Sequence, residues 1–302
     1  MNRMILVFAA ASTVAAAITT AMTTAMTTAI TTAGTAVAGT VAAPWGIPAK
    51  PGPAAGPPSP EQHKPPADFR VMVFSKTAGF RHDSIPAGIE AIRELGKDGN
   101  FEVEATEDAE AFTRENLERF AAVVFLNTTG DVLARAQEEA FEAFISSGGG
   151  YVGVHSAADT EYDWEWYGSL VGAYFKTHPK IQEGVNVVED RTHPSTHHLP
   201  DRWRRTDEWY CYRSSPRERV RVLVSLDETT YEGGSMGADH PISWCQEFGG
   251  GRSWYTGGGH TAESYSEPSF SAHLLGGILW AAGKAAWEEG EKGNVETREA
   301  AN

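Results

Sequence analysis

Cysteine and basic side chains are scarce in this chain of 302 residues. It contains two cysteines, too few for a disulfide-stapled scaffold or a four-thiolate zinc site. Its 25 lysines and arginines are outnumbered by 40 aspartates and glutamates, which gives a formal net charge of −15. Because binding to nucleic acid needs a basic surface, we expect no nucleic-acid partner. What is abundant is apolar material, at 41% of the chain, enough for the core of one large domain or two small ones.

The first 49 residues carry no charged side chain except Arg3. Residues 4–18 are apolar and follow that short basic start, a pattern typical of a secretory signal peptide. Small residues at 36–38 and 41–43 offer cleavage sites. We therefore expect residues 1–43 to be a signal peptide and the mature protein to be secreted, with no stable membrane span. A retained anchor is the alternative, because the uncharged stretch is long enough to cross a bilayer, although its threonines disfavour that reading.

Proline and polar residues flank the predicted folded domain. Residues 44–66 contain nine prolines, so we predict an extended linker over residues 44–67 and a domain over residues 68–284. Residues 285–302 are rich in Glu, Lys and Gly and are predicted to form a disordered acidic tail. Export would permit a disulfide between Cys211 and Cys245, and two buried thiols are the alternative.

Strand-like and helix-like segments alternate along the domain. Apolar runs typical of buried strands occur at residues 69–74, 121–126 and 151–155, and residues 101–105 alternate as a strand does. Further strand candidates lie at residues 185–188, 220–226, 242–248 and 252–255. Segments with the apolar spacing of a helix occur at residues 84–95, 134–147 and 269–282, and Ser84 is placed to cap the first. This order predicts an α/β fold, a doubly wound and mostly parallel sheet with helices on both faces.

In such sheets ligands bind beyond the carboxyl ends of the strands, which selects residues 75–83, 127–131 and 155–159. Gly153 permits a sharp turn after the strand, so that His155 is presented above the sheet as in a nucleophile elbow. An imidazole there suits proton transfer or metal ligation. A hydrogen bond to a loop is the alternative for His155. Asp159 closes the same segment and is a candidate for substrate binding.

Three other segments supply candidate site residues. Arg81 and His82 follow the first strand, where Arg81 can bind substrate oxygens and His82 can act as base or ligand; a surface pair between Arg81 and Asp83 is the alternative. Glu208 lies beside aromatic residues, which favours an acid/base role, although a solubilising role is open. His260 follows three glycines that let the backbone approach a ligand. Three histidines of a proline-containing loop are expected to be exposed: His193, His197 and His198.

Aromatic residues and potential metal ligands are the remaining candidates for the functional site. Trp164 and its neighbours place four aromatic residues among acidic ones at 161–167, a pattern typical of sugar binding, with core packing as the alternative. The ligand types needed for zinc or another divalent metal are present, although their spacing does not identify a cofactor. The residues of that kind are His82, His155, Glu208, His240 and His260.

Five motifs, taken together, resemble the trehalose-utilisation or ThuA-like family. They are GFRHDSI at 79–85, GGGYVGVHSAADT at 148–160, DEWY at 207–210, ADHPISW at 238–244 and GGGRSWYTGGGHT at 249–261. The resemblance implies the class I glutamine amidotransferase-like fold, with a flavodoxin-like sheet. It also implies that Arg81, His82, His155, Glu208 and His260 form the pocket.

The resemblance implies a role in sugar metabolism, often alongside oxidation to keto-sugars. Amidotransferases of the superfamily carry a catalytic cysteine at the elbow, where this chain has His155, so we do not expect glutamine hydrolysis. The predicted function is a secreted carbohydrate-processing enzyme, a hydrolase, lyase or isomerase, acting on a small or polymeric carbohydrate by acid/base chemistry with or without a metal. In this scheme His155, Glu208 and His82 are catalytic, while Trp164 and Trp209 stack on the sugar. A non-catalytic carbohydrate-binding domain is the alternative.

Overall fold

The computed structural model describes residues 67–285 and residue 287. The predicted signal peptide, nearly all of the linker and most of the acidic tail lie outside these residues. Within the tail, Trp287 donates a hydrogen bond from its Nε1 to Thr192 Oγ1 at 3.0 Å, and its ring contacts that of Trp280. No helix among the described residues combines the length and apolarity that a membrane crossing requires.

The described residues form eleven strands and five α-helices, with short 3₁₀ turns between them. The strands are β1 (Phe69–Phe74), β2 (Phe101–Thr106), β3 (Ala122–Leu126), β4 (Gly150–Val154), β5 (Phe175–Thr177), β6 (Gln182–Val188), β7 (Arg202–Asp207), β8 (Cys211–Tyr212), β9 (Arg221–Asp227), β10 (Pro241–Phe248) and β11 (Gly251–Thr256). The helices are α1 (Ile85–Asp98), α2 (Arg114–Leu117), α3 (Arg135–Ser146), α4 (Glu165–Val171) and α5 (Pro268–Ala281).

Nine of these strands form one sheet in the order β2-β1-β3-β4-β11-β10-β9-β6-β7. The first five run parallel to one another, and their spatial order is that of a flavodoxin-like sheet. From β11 onward each neighbouring pair is antiparallel. The predicted α/β fold with a parallel sheet is therefore confirmed, and an antiparallel extension is added to it.

Helices cover both faces of the parallel strands, as predicted. On one face, the ring of Phe125 in β3 contacts Phe141 of α3 and Tyr167 of α4. On the other face, Trp254 of β11 contacts His273 of α5. The central strands β3 and β4 are buried along their whole length, which explains why their sequences are continuous apolar runs. Strand β2, at the edge of the sheet, is only partly buried and its sequence alternates.

The structure decides the burial of the three loop histidines and the state of the two cysteines. His193 is fully buried against Trp280, whereas His197 and His198 are exposed as expected, because the loop that carries them folds over α5 and β11. Cys211 and Cys245 are both buried, and no disulfide joins them. Of the two alternatives for the cysteines, the structure has the pair of thiols.

Candidate active site

His155 lies at the carboxyl end of β4, in a tight turn into the 3₁₀ segment His155–Asp159. Its φ of +49° is a conformation that few residues other than glycine adopt, as expected for an elbow. The Nδ1 atom donates a hydrogen bond to the Gly257 carbonyl at 2.9 Å, and the Nε2 atom lies 3.1 Å from His260 Nδ1. The ring of Tyr210 packs against the imidazole with 4.0 Å between centroids. His155 is therefore completely buried and fixed in one orientation.

His82 enters the site from the loop after β1. Its ring lies edge-on to both His155 and His260, with centroids 5.0 and 4.9 Å away. Ser84 is the N-cap residue of α1, as predicted, but its hydroxyl makes no cap bond and instead donates to the carbonyl of Gly259 at 3.3 Å. Asn127, at the end of β3, donates to Ser84 Oγ and to the same carbonyl. These bonds tie the loops after β1, β3 and β11 together.

Glu208 and His260 are brought together by Asp207, the last residue of β7. The buried Asp207 carboxylate accepts hydrogen bonds from the backbone N–H groups of Glu208, Gly259 and His260 at 2.9, 2.8 and 3.1 Å. Arg205 forms an ion pair with the same carboxylate at 2.9 Å. A strand of the antiparallel extension and the loop after β11 are thus joined beneath the site.

The His/Glu cluster, defined as His82, His155, Glu208 and His260, resembles a metal-binding centre in its geometry. One ligand atom from each of its members lies within 4.8 Å of the others. Glu208 Oε2 is 3.4 Å from His155 Nε2 and 3.1 Å from His260 Nδ1. Imidazole and carboxylate ligands are the set that zinc prefers, and a carbonyl that fixes the far nitrogen of a histidine is the usual second contact of a metal ligand.

The pKa shifts of His82 and Glu208 also suit metal binding. Burial lowers the pKa of His82 to about 3, and His155 and His260 act in the same direction. Burial tends to raise the pKa of Glu208, but hydrogen bonds with His155 and His260 outweigh it and hold that pKa at about 2. Burial also opposes protonation of His260, yet the hydrogen bond and charge of Glu208 raise its pKa overall. The site therefore contains a neutral His82 beside an ionised carboxylate.

His178, which the sequence reasoning missed, is the outermost residue of the site. Its Nδ1 lies 2.9 Å from Glu208 Oε1, the carboxylate oxygen that faces away from His155, and 43% of its side chain is exposed. The ring is stacked against Phe175 and Tyr210. His178 directly follows β5, and a histidine at the end of a strand is a candidate site residue. The sequence analysis did not predict β5, so His178 was not selected.

The predicted sugar contacts do not gather around the cluster. Arg81 is half-exposed and forms a two-bond ion pair with Glu107 on the surface, at 2.6 and 2.9 Å, because the loop after β1 turns it toward the end of β2. Trp209 is completely buried and donates to the Gln182 carbonyl. Trp164 stacks on Trp166 within the core. None of these three side chains therefore lies in the cluster where it could contact a sugar bound there.

Two other predicted residues have defined places. Asp159 accepts a hydrogen bond from the Tyr162 hydroxyl at 2.5 Å, and burial raises its pKa. His240, one of the potential zinc ligands, is not part of the His/Glu cluster: it contacts Glu228 and the Tyr210 carbonyl instead. The cluster thus contains four of the five potential ligands that the sequence supplied.

Comparison with known proteins identifies the family. The family model ThuA, described as trehalose utilisation, matches residues 70–281. The chain belongs to the ThuA family. Its fold is similar to that of a ThuA-like protein from Bacteroides uniformis, with a TM-score of 0.63 and 22% identity over 74% of this chain and 95% of that one. A ThuA-like protein from Parabacteroides merdae gives a TM-score of 0.61 and 20% identity, over 71% and 90% of the two chains. No curated protein matches the chain.

Proposed function

We propose that this ThuA-family protein is a carbohydrate-processing enzyme whose reaction takes place at the His/Glu cluster with a divalent metal ion bound there. One observation carries the proposal: three imidazoles and a carboxylate converge within 4.8 Å at the carboxyl edge of the parallel strands. This edge is where sheets of this kind bind their ligands. A bound divalent ion would supply Lewis-acid activation of a substrate oxygen or of water.

Some side chains at the site are suited to bind the metal ion, and one is suited to exchange a proton with the substrate. His155 and His82 are buried, and His155 is locked by the Gly257 carbonyl, so they are suited to hold an ion. Glu208 offers one oxygen to the cluster and the other to His178. His178 is the partly exposed member of this pair, placed to exchange a proton with a substrate at the mouth of the site. Glutamine hydrolysis is not proposed, because the elbow carries an imidazole rather than a thiol.

A carbohydrate substrate is supported by the family description and by an exposed aromatic ring. Phe80 is 67% exposed, and its ring lies edge-on to His82 with 4.9 Å between centroids. An exposed aromatic face beside polar groups can stack on the C–H face of a sugar ring. Phe80 thus takes the role that the sequence analysis gave to Trp164 and Trp209. The proposed substrates are glycosides such as trehalose and their keto forms.

Metal analysis and turnover measurements test the proposal. The purified protein is expected to hold a metal ion in the cluster and to act on at least one member of a panel of glycosides and keto-sugars. His155→Ala and Glu208→Gln should release that ion and lower turnover by about 10²–10⁴-fold, the range for loss of an acid/base or ligand group. Phe80→Ala should keep the ion and weaken sugar binding by roughly 2–10-fold, the loss of one aromatic contact.

The matched control is His197→Ala, which removes an exposed imidazole outside the cluster. It should change neither metal content nor turnover. Sugar binding that survives His155→Ala, with no turnover by the unaltered protein, would replace the enzyme with the carbohydrate-binding alternative. Absence of both metal and sugar binding would overturn the proposal.

We also propose that the protein is exported and that cleavage falls at the end of residues 1–43. The uncharged, apolar start of the sequence supports this. Mass spectrometry of the protein recovered from culture medium should show a chain that begins near residue 44. Full-length protein that remains in the membrane fraction would favour the retained anchor.

A further inference from the structure

A second group of side chains with potential metal-ligand atoms adjoins the segment that carries Glu208. The ligand atoms of Cys211, Glu228 and His240 lie within 4.8 Å of one another. Cys211 and His240 are completely buried, and the Glu228 side chain is 15% exposed. A thiol, an imidazole and a carboxylate form a complete set of zinc-ligand types, and none of the three belongs to the His/Glu cluster.

The hydrogen bonds of His240 leave one ring nitrogen facing this group as an acceptor. The Nε2 atom donates to the carbonyl of Tyr210 at 2.8 Å, which places the lone pair of the neutral ring on Nδ1. Nδ1 then lies 2.8 Å from Glu228 Oε1, also an acceptor when ionised. Two acceptors at this distance repel each other unless a proton or another positive charge lies between or beside them, and a bound cation would supply that charge. A carbonyl that fixes one ring nitrogen of a histidine while the other nitrogen faces a carboxylate is typical of a metal ligand.

The carboxylate is held in place independently of any ion. Glu228 accepts hydrogen bonds from the backbone N–H groups of Met236 and Gly237 at 2.8 and 2.9 Å. The hydroxyl of Tyr231 is 3.3 Å from His240 Nδ1. The loop between Glu228 and Gly237 is thereby folded back onto His240, so two ligands of the group are already oriented. Such preorganisation favours a tightly bound ion.

We propose that Cys211, Glu228 and His240 form a second, structural site for a divalent ion of borderline softness, such as zinc. As the bond between the Cys211 sulfur and the ion forms, the thiol proton is released to solvent, so the site contributes a thiolate, a neutral imidazole and a carboxylate. The ion would anchor Tyr210, whose carbonyl binds His240 and whose ring packs on His155. Through Tyr210, this site would stabilise the position of His155 in the His/Glu cluster. The proposal does not depend on the proposed function.

Cobalt spectroscopy separates the two sites, because only the second contains a sulfur ligand. The full chain is stripped with a chelator and loaded with Co²⁺, and metal content is measured in parallel on protein loaded with Zn²⁺. We expect two ions per chain and a near-ultraviolet charge-transfer band from the cobalt–thiolate bond. Cys211→Ser should remove the band and one ion, whereas His155→Ala should remove one ion and keep the band. Glu228→Gln serves as a second ligand variant if Cys211→Ser does not fold.

The outcomes distinguish this site from the proposed function. One ion per chain with the thiolate band supports the second site and contradicts the metal at the His/Glu cluster. One ion without the band does the reverse. Metal content that Cys211→Ser and Glu228→Gln both leave unchanged, in protein that lacks the band, overturns the second site.

Discussion

Asp207 is the residue on which the assembly of the candidate site most depends. Its carboxylate is completely buried and accepts backbone hydrogen bonds from both Glu208 and His260. These two members of the His/Glu cluster lie far apart in the sequence, and Asp207 joins their segments. Its charge is balanced by Arg205, itself buried and also paired with Glu267 at 2.9 Å. A buried ion pair of this kind contributes less to net stability than its removal costs, because the remaining charge is left without its partner.

Asp207→Asn is therefore expected to destabilise the protein by about 3 kcal/mol or more, the cost of breaking a buried pair. It should also weaken metal binding at the cluster, because Glu208 and His260 lose their shared anchor. Urea denaturation and metal titration measure the two effects. Asp239→Asn is the matched control, since Asp239 pairs with Arg217 on the surface and an exposed pair is worth only about 0–1 kcal/mol. Equal losses for both variants would contradict the anchoring role of Asp207.

At the residue scale, the sequence predicted the histidines better than the sugar contacts. His82, His155 and His260 follow β1, β4 and β11, parallel strands whose carboxyl ends share one edge, so their convergence follows from topology. Arg81 and Trp209 were misplaced because residue type does not show which way a side chain points. His178 was missed for a related reason: its place beside Glu208 depends on β5 and β8, two short strands with no sequence signal of their own.

At the element scale, continuous apolar runs predicted the central parallel strands and alternation predicted β2, whereas charged residues at buried positions concealed β7. The residues of β7 alternate between exposed and buried, but its buried positions are Trp203, Arg205 and Asp207, two of them charged. A charged residue at a buried position hides the strand period unless its ion-pair partner is known. The aromatic residues at 161–167 were predicted to bind sugar, with core packing as the alternative, and Trp164 and Tyr167 pack into the core.

Helix α5 shows how closely an element can approach the sheet and its loops. Gly276 faces the backbone of the loop over α5, and a methyl group there would overlap the carbonyl oxygen of Pro194. Gly277 similarly faces the ring of Trp254. A backbone carbonyl cannot move aside as a flexible side chain does. The helix therefore contains two glycines at positions where helix propensity alone favours alanine.

Gly276→Ala is expected to destabilise the protein by about 1–3 kcal/mol, because the overlap outweighs a propensity gain of about 1 kcal/mol. Thermal and urea denaturation measure the change. Ser269→Ala, in the first turn of the same helix and only partly buried, is the control and should be nearly neutral. Stabilisation by Gly276→Ala would show that the helix can shift away from Pro194 at little cost.

At the scale of the whole molecule, two buried histidines link folding to pH. Burial lowers the pKa of His193 to about 3 and that of His273 to about 3, so both are neutral in the folded protein at moderately acidic pH. In the unfolded chain their pKa is near 6.5. Because the unfolded state then binds more protons, the stability that these groups contribute is complete above pH 6.5 and is lost as the pH falls toward 3.

Each histidine should lower the free energy of unfolding by up to about 1.4 kcal/mol per pH unit in that window, or about 2 kcal/mol between pH 6.5 and 5. His193→Asn should remove one such contribution, because the amide oxygen can replace Nδ1 as acceptor for the Ser195 backbone N–H without titrating. Urea denaturation at several pH values should give a shallower decline for this variant than for the unaltered protein. His197→Asn changes an exposed histidine and should leave the decline unchanged. Parallel profiles for all three proteins would show that His193 takes up its proton without unfolding, and the loop over α5 would then have to open before the sheet does.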